Sequence, residues 1–291
     1  MRQPNAWIQT GIITALSVGL YFGIRAIPAS ECGFLHYDAV EVLADGTERC
    51  EGGPTPFINV RRAPFPVSME VLSQRGLEDG QVELRIELRG PDNRPLLPHQ
   101  IAITHTERIH LMLVEDSMGH YHHLHPKAEG DSGVYSVKFQ PKAERYRYFA
   151  EFVPVRTRAL AIADGKLDFS SNHEGHPTPT SRTDRLQAEV LGAESPLRRN
   201  RDTTLTLRLS GENGETPSLE RIMGAYAHVV AFEESLSGYA HMHPLNPDPR
   251  IDGALEMDFL FHPTLSGNYR IWVQIMHDGV EHMIPFDAEV L

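Results

Sequence analysis

The chain's 16 histidines are unevenly placed: seven lie between His99 and His125 and six between His228 and His282. In the first cluster His110, His123, His125 and Pro126 follow the spacing H-x12-H-x-H-P. The second cluster repeats it with His228, His241, His243 and Pro244. Neutral imidazole suits copper, zinc, nickel and iron, whereas calcium and magnesium prefer oxygen ligands. Three imidazoles converging from adjacent strands would therefore hold a transition ion and leave one coordination position open. Met112 offers a thioether beside the first trio only, which tilts the expected cofactor toward copper, with zinc as the alternative. The competing reading is that the histidines are packed, hydrogen-bonded members of a sheet copied by duplication. Retention of three spacings in two otherwise divergent halves weighs for the metal.

The spacing becomes geometry if the first histidine opens one strand and the last pair closes its hairpin partner. A turn at Asp116-Ser-Met-Gly119 sets His110 opposite His125 and Met112 opposite His123, with opposed Cβ atoms about 4.5–5.5 Å apart. Because side chains alternate along a strand, one face then carries His110, Met112, Val114, Tyr121, His123 and His125. The second copy places His228, Val230, Phe232, Tyr239, His241 and His243 likewise, and His120 and His122 point to the other face. A bulge in either hairpin would change this parity. Each trio is expected to converge independently within its own domain. Asp168 and His282, which follow the Asp164-Gly165 and Asp278-Gly279 pairs read as matching hairpin turns, are candidate fourth ligands.

Catalytic patterns are missing around these residues. His105-Thr-Glu-Arg-Ile-His110 has the wrong spacing for the H-E-x-x-H helix of zinc proteases, and His173-Glu-Gly-His176 is too short for it. No glycine-rich phosphate loop or G-x-S-x-G elbow occurs, and Glu107 reads as a solvated surface residue. Binding without turnover is the expected role. The formal charge of −12 argues against nucleic acid as a partner, since phosphate binding needs a basic surface.

The elements that carry the histidines read as strands. Gln81-Val-Glu-Leu-Arg-Ile-Glu-Leu88 and Thr203-Thr-Leu-Thr-Leu-Arg-Leu-Ser210 alternate with period two, and no amphipathic helix of convincing length follows residue 28. Phe139-Gln-Pro141 matches Phe261-His-Pro263, and Tyr146-Arg-Tyr-Phe matches Tyr269-Arg-Ile-Trp, so the two halves are copies of one domain. The expected class is all-β, with two tandem immunoglobulin-like or cupredoxin-like sandwiches after an N-terminal transmembrane helix. The boundaries are residues 1–28 for a membrane anchor or signal segment, 29–62 for a disulfide loop and linker, 63–180 for the first sandwich with its interdomain linker, and 181–291 for the second.

Trp7 to Ile24 is an uncharged run of 18 residues flanked by Arg2 and Arg25, just long enough to span a bilayer. It reads as an anchor with the domains outside the cytoplasm, in the periplasm or at the cell surface, and a cleaved signal is the alternative. In that oxidising setting Cys32 and Cys50 are expected to form a disulfide, with a metal site of Cys32, His36 and Cys50 as the other reading.

From Gly80 to Leu291, through the upstream histidine and the His-x-His-Pro element, the chain resembles a family of exported, largely uncharacterised bacterial proteins with tandem sandwich domains. It also resembles cupredoxin-like periplasmic modules associated with copper handling. The resemblance implies metal ligation by His110, His123 and His125 and by His228, His241 and His243. Buffering, sensing or hand-over of the ion is the expected role, with a metal-handling protein as the expected partner. The cysteine thiolate of blue-copper proteins has no counterpart in the repeats, which argues against electron transfer of that kind.

Overall fold

The computed structural model describes residues 6–26, 40–42, 48–50, 55–62, 64–169, 182–183, 186–246 and 248–291. It divides into two units, Met1–Cys32 and Gly33–Leu291. The first is described by the helix α1 (Ala6–Ala26). At 21 residues it has spanning length, about 31 Å at 1.5 Å per residue. Yet among the described residues no helix is long and apolar enough to cross a membrane. Thr10, Thr14 and Ser17 interrupt the apolar run, and the expected transmembrane helix is not found among the described residues. The Cys32–Cys50 disulfide lies outside the described residues, because Cys32 and His36 are not among them.

The second unit opens with a short hairpin, β1 (Val40–Val42) and β2 (Glu48–Cys50), then two brief strands, β3 (Thr55–Pro56) and β4 (Ile58–Asn59). The first repeat follows with β5 (Ser68–Gly76), β6 (Val82–Arg89), β7 (His110–Glu115), β8 (Tyr121–Leu124), β9 (Lys127–Ala128), β10 (Val134–Phe139), β11 (Arg145–Phe152) and β12 (Ala161–Asp168). The second repeat comprises β13 (Arg182–Thr183), β14 (Leu186–Leu191), β15 (Thr203–Gly211), β16 (Leu219–Glu220), β17 (Ala227–Glu233), β18 (Gly238–Met242), β19 (Arg250–Ile251), β20 (Leu255–His262), β21 (Gly267–His277) and β22 (Val280–Val290).

The fold is all-β, and each repeat is an immunoglobulin-like sandwich. In the first, the sheet β5-β6-β10-β9 faces the sheet β12-β11-β7-β8. In the second, β14-β15-β20-β19 and β22-β21-β17-β18 recur in the same order, with β13 and β16 added. The period-two pattern explains why. Leu84, Ile86 and Leu88 of β6 fill one core with Leu111, Leu113, Tyr148 and Phe152. Leu205, Leu207 and Leu209 of β15 fill the other with Val229, Ala231, Ile271 and Val273.

The alternate residues of the same strands do not face water. Met112, Val114, Tyr121, Phe149 and Ile162 of the first repeat pack with Val230, Phe232, Tyr239 and Trp272 of the second. Each repeat thus lays its histidine-bearing sheet against that of the other, and four sheets stack with three apolar layers between them. The segment expected to be a linker also joins this assembly. Strand β3 pairs in parallel with β20, β4 pairs with β18, and Phe57 between them enters the core of the second repeat. Glycine is required at position 238, where an added Cβ would lie 1.7 Å from the Ile58 carbonyl oxygen of β4.

The Asp-Gly pairs differ from expectation. Asp278 and Gly279 form the turn between β21 and β22, with φ of 52° and 70°. Asp164 and Gly165 instead lie inside β12, paired with Phe149 and Tyr148. Gly165 leaves room for the Tyr148 ring, whose Oη would be 2.5 Å from an added Cβ.

Phe232 carries much of the contact between repeats. It is fully buried, with ring centroids 5.4 Å from Tyr121 and 5.9 Å from Phe149. Phe232→Ala is expected to destabilise the protein by about 3–5 kcal/mol, read as a lower urea midpoint by circular dichroism. An unchanged midpoint would show that the repeats do not stabilise one another.

Candidate metal centre

The two hairpins form in the expected register. Met112 pairs with His123 and Val114 with Tyr121, while Val230 pairs with His241 and Phe232 with Tyr239. Neither hairpin is bulged, so the histidines keep the expected face. The turn after β7 is closed by Met118 in the left-handed region, φ 58°. His110, His123 and His125 then bring one ring nitrogen each within 4.8 Å of the others, and so do His228, His241 and His243. His110, His123, His228 and His241 are buried, whereas His125 and His243 are half-buried at the rim.

Hydrogen bonds orient the rings. His110 Nε2–H donates to the Thr104 carbonyl at 3.0 Å, and His228 Nε2–H donates to the Ile222 carbonyl at 3.0 Å. A carbonyl only accepts, so the Nδ1 atom of each ring keeps its lone pair. His123 Nδ1–H donates to Gln274 Oε1 at 2.9 Å, which leaves Nε2 as its ligand atom. His241 Nδ1 lies 3.5 Å from Glu151 Oε1, again leaving Nε2. The nitrogens of His125 Nε2, His228 Nδ1, His241 Nε2 and His243 Nε2 are buried with no hydrogen-bond partner. His110 Nδ1 and His123 Nε2 meet at 3.3 Å. Buried polar atoms seldom lack partners, and six nitrogens presented in two equivalent trios fit a metal ligand set.

Burial also sets the protonation state. It pushes His110 below the usual imidazole range and His123, His228 and His243 well below it. His125 is lowered to about 3 by burial, with His110 and Lys127 adding repulsion. Neutral imidazoles are the form that ligates. Glu151 is likewise buried, which alone would raise its pKa. The contact with the His241 ring, with the Tyr239 hydroxyl donating to the same carboxylate, brings it down to about 2. An ionised carboxylate therefore sits inside the interface.

Each trio converges by itself, as expected, but the two lie side by side. Their sheets are packed face to face, so the ring centroids of His123 and His241 are 5.3 Å apart across the repeats. Met112 lies in the same interfacial layer, fully buried and directly opposite His123, where the second copy has Val230 against His241. Asp168 and His282 join neither trio. Asp168 is exposed at the far end of β12, paired with Arg145. His282 pairs with Ile275 and shares the face of Ile284, which points into the core of the second repeat. The proposed equivalence of Asp168 and His282 rested on the Asp164-Gly165 turn, which does not form.

Three residues at the site escaped sequence reasoning. Glu151 and Gln274 sit opposite His110 and His228, at equivalent places in β11 and β21. A carboxylate and an amide within the otherwise aromatic and apolar stretches 148–152 and 271–276 were the readable signal. His105, in a left-handed turn with φ 50°, stacks on His243 with centroids 4.1 Å apart. Met223 occupies the same kind of turn in the second copy, φ 52°.

A family model described as a domain of unknown function (DUF8832) matches residues 181–291, the second repeat. No curated protein matches the chain. Among solved structures, the Lin-41 filamin domain is 16% identical with a TM-score of 0.24, covering 36% of this chain and 91% of that one. FdeC, an Escherichia coli adhesin, is 12% identical with a TM-score of 0.23, covering 81% and 65%. MtrC from Shewanella baltica OS185 is 7% identical with a TM-score of 0.24, covering 77% and 68%. At such scores the sandwich architecture rests on the strand pairing of this chain itself.

The depressed histidines make stability depend on pH. His122, packed against Phe139 and Tyr146, is lowered to about 3 by burial, as is His125. Below about 6.5, the ordinary histidine value, the unfolded chain takes up protons that the folded protein refuses. Stability is therefore full above that pH and declines as pH falls toward about 3. The melting temperature of metal-free protein should drop between pH 7.5 and 5, a window in which carboxylates stay ionised. A flat profile would mean that these rings take up protons equally well in both states.

Proposed function

We propose that the protein binds transition-metal ions through its two histidine triads, copper by preference and zinc as the alternative, in metal buffering, sensing or transfer outside the cytoplasm. The observation that carries this reading is the set of buried imidazole nitrogens with no hydrogen-bond partner, presented by two equivalent trios. The copper preference draws on the thioether of Met112 opposite His123. A bound ion would supply a Lewis acid or redox centre with an open position. The chain's own groups hold the ligands in their tautomers and keep water from the inner rings. The carboxylate in contact with a triad, Glu151, is occupied by Tyr239 and His241, which favours binding and hand-over to a partner protein above turnover.

Metal analysis of the protein purified without a histidine tag should find copper or zinc, with up to one equivalent per triad. Replacing His123 and His125 together by alanine should remove one equivalent. An untagged protein that holds neither ion above background after exposure to both would reduce the trios to packed residues.

A further inference from the structure

The imidazoles are nearly as close between the triads as within them. Centroid separations within a triad run from 4.7 to 5.8 Å. Across the repeats His123–His241, His110–His241 and His123–His228 are 5.3, 5.9 and 6.1 Å apart. The supporting contacts also cross. His123 of the first repeat is held by Gln274 of the second, and His241 of the second by Glu151 of the first. His105 of the first repeat covers His243 of the second. In each triad the first histidine is oriented from its own repeat and the second from the opposite one, so each set of supporting contacts is completed only when the repeats dock.

The crossing is symmetric in position and asymmetric in chemistry. Glu151 and Gln274 are equivalent residues, each opposite the first histidine of its own triad. Behind His241 stands a carboxylate, which raises the basicity of the ring and adds a negative charge beside the cation. Behind His123 stands an amide, which fixes the ring without adding charge. Gln274 is itself held by donation from its Nε2 to Glu281.

Resting on the metal reading above, we infer that the two triads form one paired centre for two transition ions, loaded in order. The carboxylate-backed triad of the second repeat fills first, and the amide-backed triad of the first repeat fills second, beside a cation already present.

The test is a titration of the metal-free full chain with Cu(II), followed by electron paramagnetic resonance and by binding isotherm. One equivalent should give an isolated, nitrogen-coupled Cu(II) spectrum. The second should remove much of that intensity and add a half-field signal from two neighbouring spins. His123→Ala should bind one ion and stay isolated. Glu151→Gln should weaken the first step by about tenfold or more, in line with the usual cost of losing a partner behind a metal-bound histidine. Since a buried change at Glu151 also risks the fold, Gln274→Glu gives the complementary reading: the second step should tighten and the two steps draw together. Two bound ions with full isolated intensity, or saturation at one ion, would overturn the paired centre. Unchanged steps in both Glu151→Gln and Gln274→Glu would overturn the order of loading. A protein that takes up no copper at all would instead overturn the metal reading on which the pairing stands.

Discussion

Six imidazoles converge between two sheets that belong to different copies of one domain, four of them buried and two half-buried, and the rest of the architecture answers to that burial. A ring in a dry interface stays neutral and must place its N–H on an acceptor. Thr104 and Ile222 supply two such acceptors from turns just ahead of β7 and β17. Gln274 supplies another from the opposite repeat, and Glu151 stands beside His241 in the same way. The aromatic layer of Tyr121, Phe149, Phe232, Tyr239 and Trp272 continues the same interface away from the histidines. Its packing density sets the spacing of the sheets, and that spacing sets how near the two triads come. Interfacial packing and site geometry are thus one quantity, because sliding one repeat against the other would break both together.

Duplication explains the symmetry, and divergence explains where it fails. The register of both hairpins, the carbonyl acceptors and the strand order are retained. The differences sit at residues that touch the histidines from outside: Glu151 against Gln274, Met112 against Val230, and His105 against Met223. A tandem repeat can vary such supporting residues one copy at a time without disturbing the ligands. The result is a scaffold with nearly two-fold geometry and unequal electrostatics.

Much of this was legible in the residues. Alternation in β6 and β15 identified half-buried strands, and the fixed spacing from His110 to His125 gave the hairpin register because a short symmetric turn leaves little freedom. What the spacing could not supply was the partner of the histidine face. Yet Leu111-Met112-Leu113-Val114 and Val229-Val230-Ala231-Phe232 are apolar on both faces, the pattern of a strand covered on two sides. That run pointed to a second layer above the histidines. Asp164-Gly165 misled because a glycine serves a turn and a close ring contact equally well, and only the Tyr148 side chain decides between them. Over residues 7–24 freedom from charge is a weaker condition than apolarity, as the polar Thr10, Thr14 and Ser17 of that run show.

The brief strands β3 and β4 precede the first repeat in the chain but are paired with the second. During synthesis they leave the ribosome early and find no partner until β18 and β20 emerge, after the whole of the first sandwich has been made. The fold is therefore fastened in reverse, by a clasp made first and closed last. Closure of so long a loop is slow compared with pairing inside either sandwich. Until it happens, the edge of β18 is bare, and its unpaired backbone is open to any other extended chain nearby.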